Sequence, residues 1–209
     1  MLPNAVQLEE IDVELGGKTV LDGVSLTVRR GEKVRLTGPS GSGKTTVLRC
    51  VLGFVVPQSG RILVDGQELT PDTVWDLRQR LAYVAQEPEL GDGTVREILE
   101  RPFTYRANRM QRDNLERIPD LFERLYLPQG LLDADAGEIS GGEKQRVALV
   151  SAMLLDRTIF LLDEASSALD RRARDAVVDV FRSEPDWAVL AVSHEDEWQA
   201  FSERDVTVD

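Results

Sequence analysis

The sequence predicts an α/β fold: a mainly parallel sheet, an antiparallel β subdomain at the N-terminus, and an α-helical subdomain inserted before the last strands. Three observations carry this. Strand-like runs recur at residues 33–37 and 81–85 and, short and apolar in the way of buried parallel strands, at 158–162 (TIFLL) and 188–192 (AVLAV). A glycine-rich loop, GPSGSGKTT at residues 38–46, joins the first of these runs to a stretch with helical spacing. From residue 94 to about 155 strand patterns vanish and helical spacing takes over, with Pro102, Pro119 and Pro128 as punctuation.

In chain order, residues 5–15 and 19–28 read as strands around a Gly16-Gly17 turn, followed by Arg30-Gly31-Glu32 and the buried strand 33–37. Residues 38–43 form a loop and 44–52 a short helix. After Pro57-Gln58-Ser59-Gly60, residues 61–64 read as a strand ending in the tight turn Asp65-Gly66. Residues 76–80 look helical, 81–85 form a strand ending at Gln86, and 171–182 are amphipathic and helical. No internal repeat, low-complexity segment or long linker appears.

At 209 residues, 42% hydrophobic and 30% charged, the chain has the balance of an ordinary folded protein of one domain, 1–209. Its net charge of −12 opposes broad contact with nucleic acid or anionic lipid. The lone cysteine, Cys50, cannot form an internal disulfide and reads as a small core residue. No charged-then-apolar leader opens the chain, and a reducing cytoplasm is the expected compartment. The longest apolar stretches fall far short of the roughly twenty residues a membrane helix needs, so no direct membrane insertion is expected.

The chemistry begins in the loop. Gly38, Gly41 and Gly43 let consecutive backbone N–H groups face one phosphate chain, Lys44 reaches the β and γ phosphates, and Thr45 offers a hydroxyl to Mg²⁺. Residues 159–164, IFLLDE, are an apolar strand ending in Asp163 and Glu164. Acidic pairs at strand ends also occur as solvated loop starts; behind a phosphate loop, this one reads as a holder of the Mg²⁺ water shell and a base for the attacking water. His194 and Gln86 stand at two further strand ends, where a lone histidine is also commonly packing and a lone loop glutamine carries no signal of its own. A second glycine-rich helix start, GEISGGEKQR at residues 137–146, also suits an anion. One small chain thus carries two phosphate sites.

The order of these pieces resembles the ATP-binding cassette (ABC) ATPases that drive membrane transporters. The matching segments are GPSGSGKTT (Walker A), Gln86 (Q-loop), ISGGEKQR (signature), IFLLDE (Walker B), SALD at residues 167–170 (D-loop) and His194 (H-loop). The resemblance also covers residues 52–66 and so spans nearly the whole chain. It implies a P-loop NTPase with a RecA-like core formed by residues 1–86 and 156–209, and a helical subdomain, 87–155, bearing the signature. It implies that Gly38, Pro39, Ser40, Gly41, Ser42, Gly43, Lys44, Thr45 and Thr46 hold the phosphates of ATP. Thr45, Gln86 and Asp163 would hold Mg²⁺, Glu164 would act as the catalytic base, and His194 would sense the γ phosphate. It also accounts for the two phosphate sites, because in such ATPases the signature residues, here Ser140, Gly141 and Gly142, face ATP held by a second copy in a head-to-tail dimer. Asp170 would couple one site to the other.

Two departures from the family pattern stand out. Where an aromatic ring commonly stacks on adenine, this chain has Leu15, which implies weaker discrimination between ATP and GTP. The fifth signature residue is Glu143 instead of glutamine, read as harmless variation. Trp75, Trp187 and Trp198 read as packing or interface residues. The function expected is the ATPase subunit of a transporter, peripheral on the inner membrane face through a separate transmembrane permease. A signalling or scaffolding ATPase on a membrane partner is the alternative. Soluble DNA-repair and translation cassettes are disfavoured by the short helical interval, the single cassette and the acidity. Residues 101–106 and the short ending resemble the small stand-alone ATPases of metal export systems, and the early C-terminus predicts no regulatory domain.

Overall fold

The computed structural model describes residues 4–194 and 196–209. Its first strands, β1 (Asn4–Leu15) and β2 (Lys18–Arg29), form a hairpin closed by Gly16 and Gly17, both at positive φ, as a two-residue turn matched to strand twist requires. With β4 (Ser59–Val64) and β5 (Gln67–Glu68) they make an antiparallel sheet in the order β2-β1-β4-β5.

The second sheet is parallel, in the order β6-β7-β8-β3-β9, from β3 (Lys33–Thr37), β6 (Leu81–Val84), β7 (Ile159–Asp163), β8 (Ala188–Val192) and β9 (Arg204–Thr207). β3, β6, β7 and β8 are buried on both faces, and their side chains alternate between two cores. Phe160, Leu162, Val189 and Ala191 pack toward α5 (Gly141–Leu154) and α6 (Arg171–Arg182), whereas Ile159, Leu161, Leu190 and Leu36 pack toward α1 (Lys44–Val51) and the antiparallel sheet. Phe160 meets Phe181 edge-on at 5.1 Å and Trp187 at 4.4 Å. Trp187 and Trp198 are packing residues, while Trp75 is exposed. Cys50 is fully buried, and burial pushes its thiol up to about 11, so it is an inert core residue.

The interval between β6 and β7 is helical, with α3 (Val95–Glu100), α4 (Ile118–Arg124) and α5, but 3₁₀ geometry takes more of it than periodicity indicates: Arg101–Thr104, Arg106–Arg117 and Gln129–Asp133. None of the side chains of Arg106–Arg117 is fully buried, so no apolar stripe holds that segment at α-helical pitch. The helix expected at 76–80 lies at Val74–Arg78 (α2). β9 and the helix before it, α7 (Asp196–Phe201), were not anticipated: β9 is mostly exposed and polar, and it pairs only with β3 at the sheet edge.

Candidate active site

Parallel register places the functional residues. Val84 lies beside Leu162, and Asp163 and Leu36 both lie beside Val192, so β3, β6, β7 and β8 end at one edge of the sheet. Ligands of open α/β sheets bind in the crevice outside the carboxyl ends of the strands. From that edge leave the loop 38–43, Gln86, Glu164 and His194.

The loop's backbone is shaped for it. Gly38 has φ +140 and lies so close to the C-terminal strand that a Cβ there would stand 2.1 Å from the Val208 carbonyl oxygen. Gly43, at φ +95, is the N-cap of α1, and a Cβ there would meet Leu21 and Val20 of β2. Gly41 faces open space, and Pro39 and Ser40 are exposed. No side chain caps α1, and its first turn carries no acid, so its free N–H groups and positive dipole end stay available to an anion. The Ser42 hydroxyl is buried with no hydrogen-bond partner among the described residues. Lys44 is buried, and its ammonium donates to the carbonyls of Gly38 (2.9 Å) and Pro39 (2.8 Å), curling over the loop. Thr46 is buried one position beyond Thr45. An orphaned hydroxyl, an ammonium satisfied only by carbonyls and an uncapped helix start fit a phosphate chain.

Across the crevice the Thr45 hydroxyl donates to Asp163 at 2.9 Å, and the Tyr83 hydroxyl donates to the other oxygen of Asp163 at 3.4 Å. Burial first, and then the Asp163 charge, pushes Tyr83 up to about 12, so it remains a donor. Tyr83 is a site residue that sequence reasoning missed, since in LAYV it reads only as an alternating strand residue. Glu164 has φ +48, a left-handed conformation uncommon for a side-chain-bearing residue, fixed by the bond from its N–H to the Val192 carbonyl (2.9 Å). Its carboxylate accepts from Gln86 Nε2 at 2.8 Å, and His194 Nε2 lies 4.0 Å away on the other oxygen. Among the described residues no cluster of three His, Cys, Asp or Glu can hold a metal. Of the three residues expected to hold Mg²⁺, Thr45 and Asp163 are brought together, a hydroxyl and a carboxylate of the hard-oxygen kind that suits that ion, while the Gln86 amide bonds to Glu164.

The signature residues stand apart: among the described residues no hydrogen bond joins Ser140, Gly141 or Gly142 to residues 38–46. Ser140 caps α5 in a reciprocal box, accepting from the Glu143 N–H (3.3 Å) while Glu143 accepts from the Ser140 N–H (2.8 Å) and hydroxyl (2.6 Å). Gly141 has nothing within 4 Å of where a Cβ would stand, whereas Gly142 packs on the Ala168 carbonyl. Asp170 caps α6, accepting from the Ala173 N–H at 2.8 Å. Leu15 lies at the open end of β1, 46% exposed.

Sheet, loop and facing carboxylate define a P-loop NTPase of the mixed α/β type. The family profile described as ABC transporter matches residues 21–167, and the chain belongs to that family as an ABC ATPase domain. It is 36% identical over 184 residues to "Mycobactin import ATP-binding/permease protein IrtB" of Mycolicibacterium thermoresistibile, covering 87% of this chain and 32% of that protein. It is 34% identical over 193 residues to "Probable iron export ATP-binding protein FetA" of Escherichia coli, covering 91% of this chain and 84% of that protein. Thus the chain spans about a third of the first relative's length and most of the second's. A solved dimeric ATP-binding cassette in a post-hydrolysis state, bound to ADP and Pi, superimposes with TM-score 0.82 at 26% identity, over 98% of this chain and 94% of that one.

Proposed function

We propose that this chain is the ATP-hydrolysing subunit of an ABC transporter, working as a head-to-tail pair with two shared nucleotide sites. One observation carries the reading: the chain has a phosphate loop whose Thr45 hydroxyl donates to Asp163, and a separate glycine-rich helix start at which Gly141 faces open space and which, among the described residues, no hydrogen bond ties to that loop. Residues 1–86 and 156–209 form the nucleotide-binding core, and 87–155 carry the signature.

The loop N–H groups and Lys44, released from the Gly38 and Pro39 carbonyls, bind the phosphates of ATP. Thr45, Asp163 and Gln86 would hold Mg²⁺, which when bound would offset the phosphate charge. Glu164 accepts the proton of the attacking water as its oxygen bonds to the γ phosphorus, and the β–γ bridge oxygen leaves with ADP. His194 donates a hydrogen bond to the γ phosphate. Ser140, Gly141 and Gly142 of the second copy close the site, and Asp170 connects the two sites. Positioning and charge stabilisation suffice for this chemistry, so no covalent intermediate is needed.

A groove of about 580 Å³ beside the helical segment supports a partner that spans the membrane. Phe54 and Tyr105 on it are exposed. Arg78, Arg101 and Arg157 donate to main-chain carbonyls there and, among the described residues, pair with no carboxylate. In a chain of net charge −12, three such guanidiniums fit a permease segment that brings an apolar face and a carboxylate. No helix among the described residues is long and apolar enough to cross a membrane, which fits a peripheral place on the inner face. The likeness to FetA makes metal export the cargo class to test first.

The test is Glu164→Gln with MgATP. The expected result by light scattering is a doubling of the 23.3 kDa mass. A monomer at every concentration, with wild-type turnover per chain independent of dose, overturns the reading.

A further inference from the structure

Gln145 lies on α5, five residues after Ser140, and is only 1% exposed. A buried amide requires partners, and Nε2 donates to the Ala85 carbonyl oxygen at 3.1 Å. Ala85 directly follows β6, and the next residue is Gln86, whose own Nε2 donates to Glu164. One buried side chain of the signature helix therefore grips the backbone that delivers an amide to the carboxylate after β7. On its other side α5 is held by Arg146, which donates to the carbonyls of Leu125 (3.0 Å), Tyr126 (2.9 Å) and Gly142 (3.1 Å).

A backbone movement that draws Gln86 away from Glu164 would carry the Ala85 carbonyl with it. Either the bond to Gln145 breaks and strands two buried polar groups, or the start of α5 moves too. The first is the costlier outcome, because an unmade buried hydrogen bond forfeits the full desolvation of its groups. Gln145 thus behaves as a strut between two ends of the chain that share no ligand in one copy.

We propose that Gln145 is a positioning residue that couples the Gln86–Glu164 contact at one nucleotide site to the angle at which Ser140, Gly141 and Gly142 are presented to the nucleotide of a second copy. This rests on the head-to-tail reading above. Among the described residues no hydrogen bond joins Gln145 to the phosphate loop, so its effect should appear in pairing and not in nucleotide binding by a single chain.

The experiment is a double-mutant cycle on MgATP-driven dimerisation by analytical ultracentrifugation, in the Glu164→Gln background, whose introduced amide still accepts from Gln86. Gln145→Met is expected to weaken dimerisation about tenfold, the size of one buried hydrogen bond, while leaving the MgATP affinity of the dilute monomer within about twofold. With Gln86→Ala already present, Gln145→Met should add less than about twofold. Unchanged dimerisation, or additive effects of the two substitutions, overturns the inference. Absence of a dimer in Glu164→Gln alone overturns the head-to-tail reading instead. Gln145→Glu keeps the shape and carries the test if the methionine variant does not fold. Its carboxyl can donate to Ala85 only when protonated, so its deficit relative to the parent should shrink as pH falls, and a deficit constant with pH overturns the inference.

Discussion

The two glycine-rich helix starts of this chain look alike in sequence and differ in what already occupies them. At α1 the N-cap is Gly43, with no side-chain cap and no acid in the first turn, and the adjacent ammonium of Lys44 is buried over the loop. At α5 the N-cap is Ser140, and Glu143 takes both its N–H and its hydroxyl. The free donors and dipole of α1 are thus open to an anion, while those of α5 are partly consumed and partly neutralised by a carboxylate of the same chain. In the proposed head-to-tail pair, the difference implies an order of events: ATP would settle first at α1 of one copy, and α5 of the other would engage the γ phosphate only when pairing brings it there already bound.

The glycines sharpen this contrast, and the largest effect is expected at Gly38. A methyl there meets the backbone of Val208, which cannot swing aside, at a φ that L-residues rarely adopt. Gly38→Ala should destabilise the fold by on the order of 2–4 kcal/mol and abolish ATP binding, read by thermal unfolding and by nucleotide titration.

Gly141→Ala should behave in the opposite way. Nothing lies within 4 Å of the added methyl, and the residue sits in the first turn of a helix, so stability should hold or rise by up to ~1 kcal/mol. Hydrolysis should fall all the same if the proposed pairing holds, because the methyl would then stand on the face offered to a second copy. Wild-type hydrolysis in a stable Gly141→Ala protein would break the comparison, leaving α5 as an ordinary capped helix.

Much of this was legible in the sequence, for identifiable reasons. The strands 188–192 and 33–37 and the helix 171–182 have ends marked by turn chemistry or a capping Asp170, and the structure keeps those bounds. The fold class was legible because buried parallel strands read as unbroken apolar runs. β9 was not: an exposed edge strand such as RDVT lacks both an apolar run and a clean alternation. Nor were the links that run between distant segments. Tyr83 to Asp163 and Gln145 to Ala85 span 80 and 60 residues, and only sheet register and helix packing bring them together.

The smallest expected effect is at Glu143, where the family pattern and this chain part. Glutamine also completes a capping box, so Glu143→Gln should preserve α5 and change steady-state hydrolysis by no more than about twofold. What it removes is a titration. The side-chain bond from the Ser140 hydroxyl, then the bond from its N–H, hold the Glu143 carboxyl below its usual range, against a smaller opposing push from burial. A group whose folded pKa is depressed contributes stability that is present above its unfolded pKa and lost as pH falls through the folded one. The parent should therefore be slightly more stable than Glu143→Gln at neutral pH, and the two melting temperatures should converge on acidification below the ordinary carboxylate range. If the gap between the melting curves stays constant through that range and below it, the carboxylate is not what closes the box, and α5 would be as open to an anion as α1.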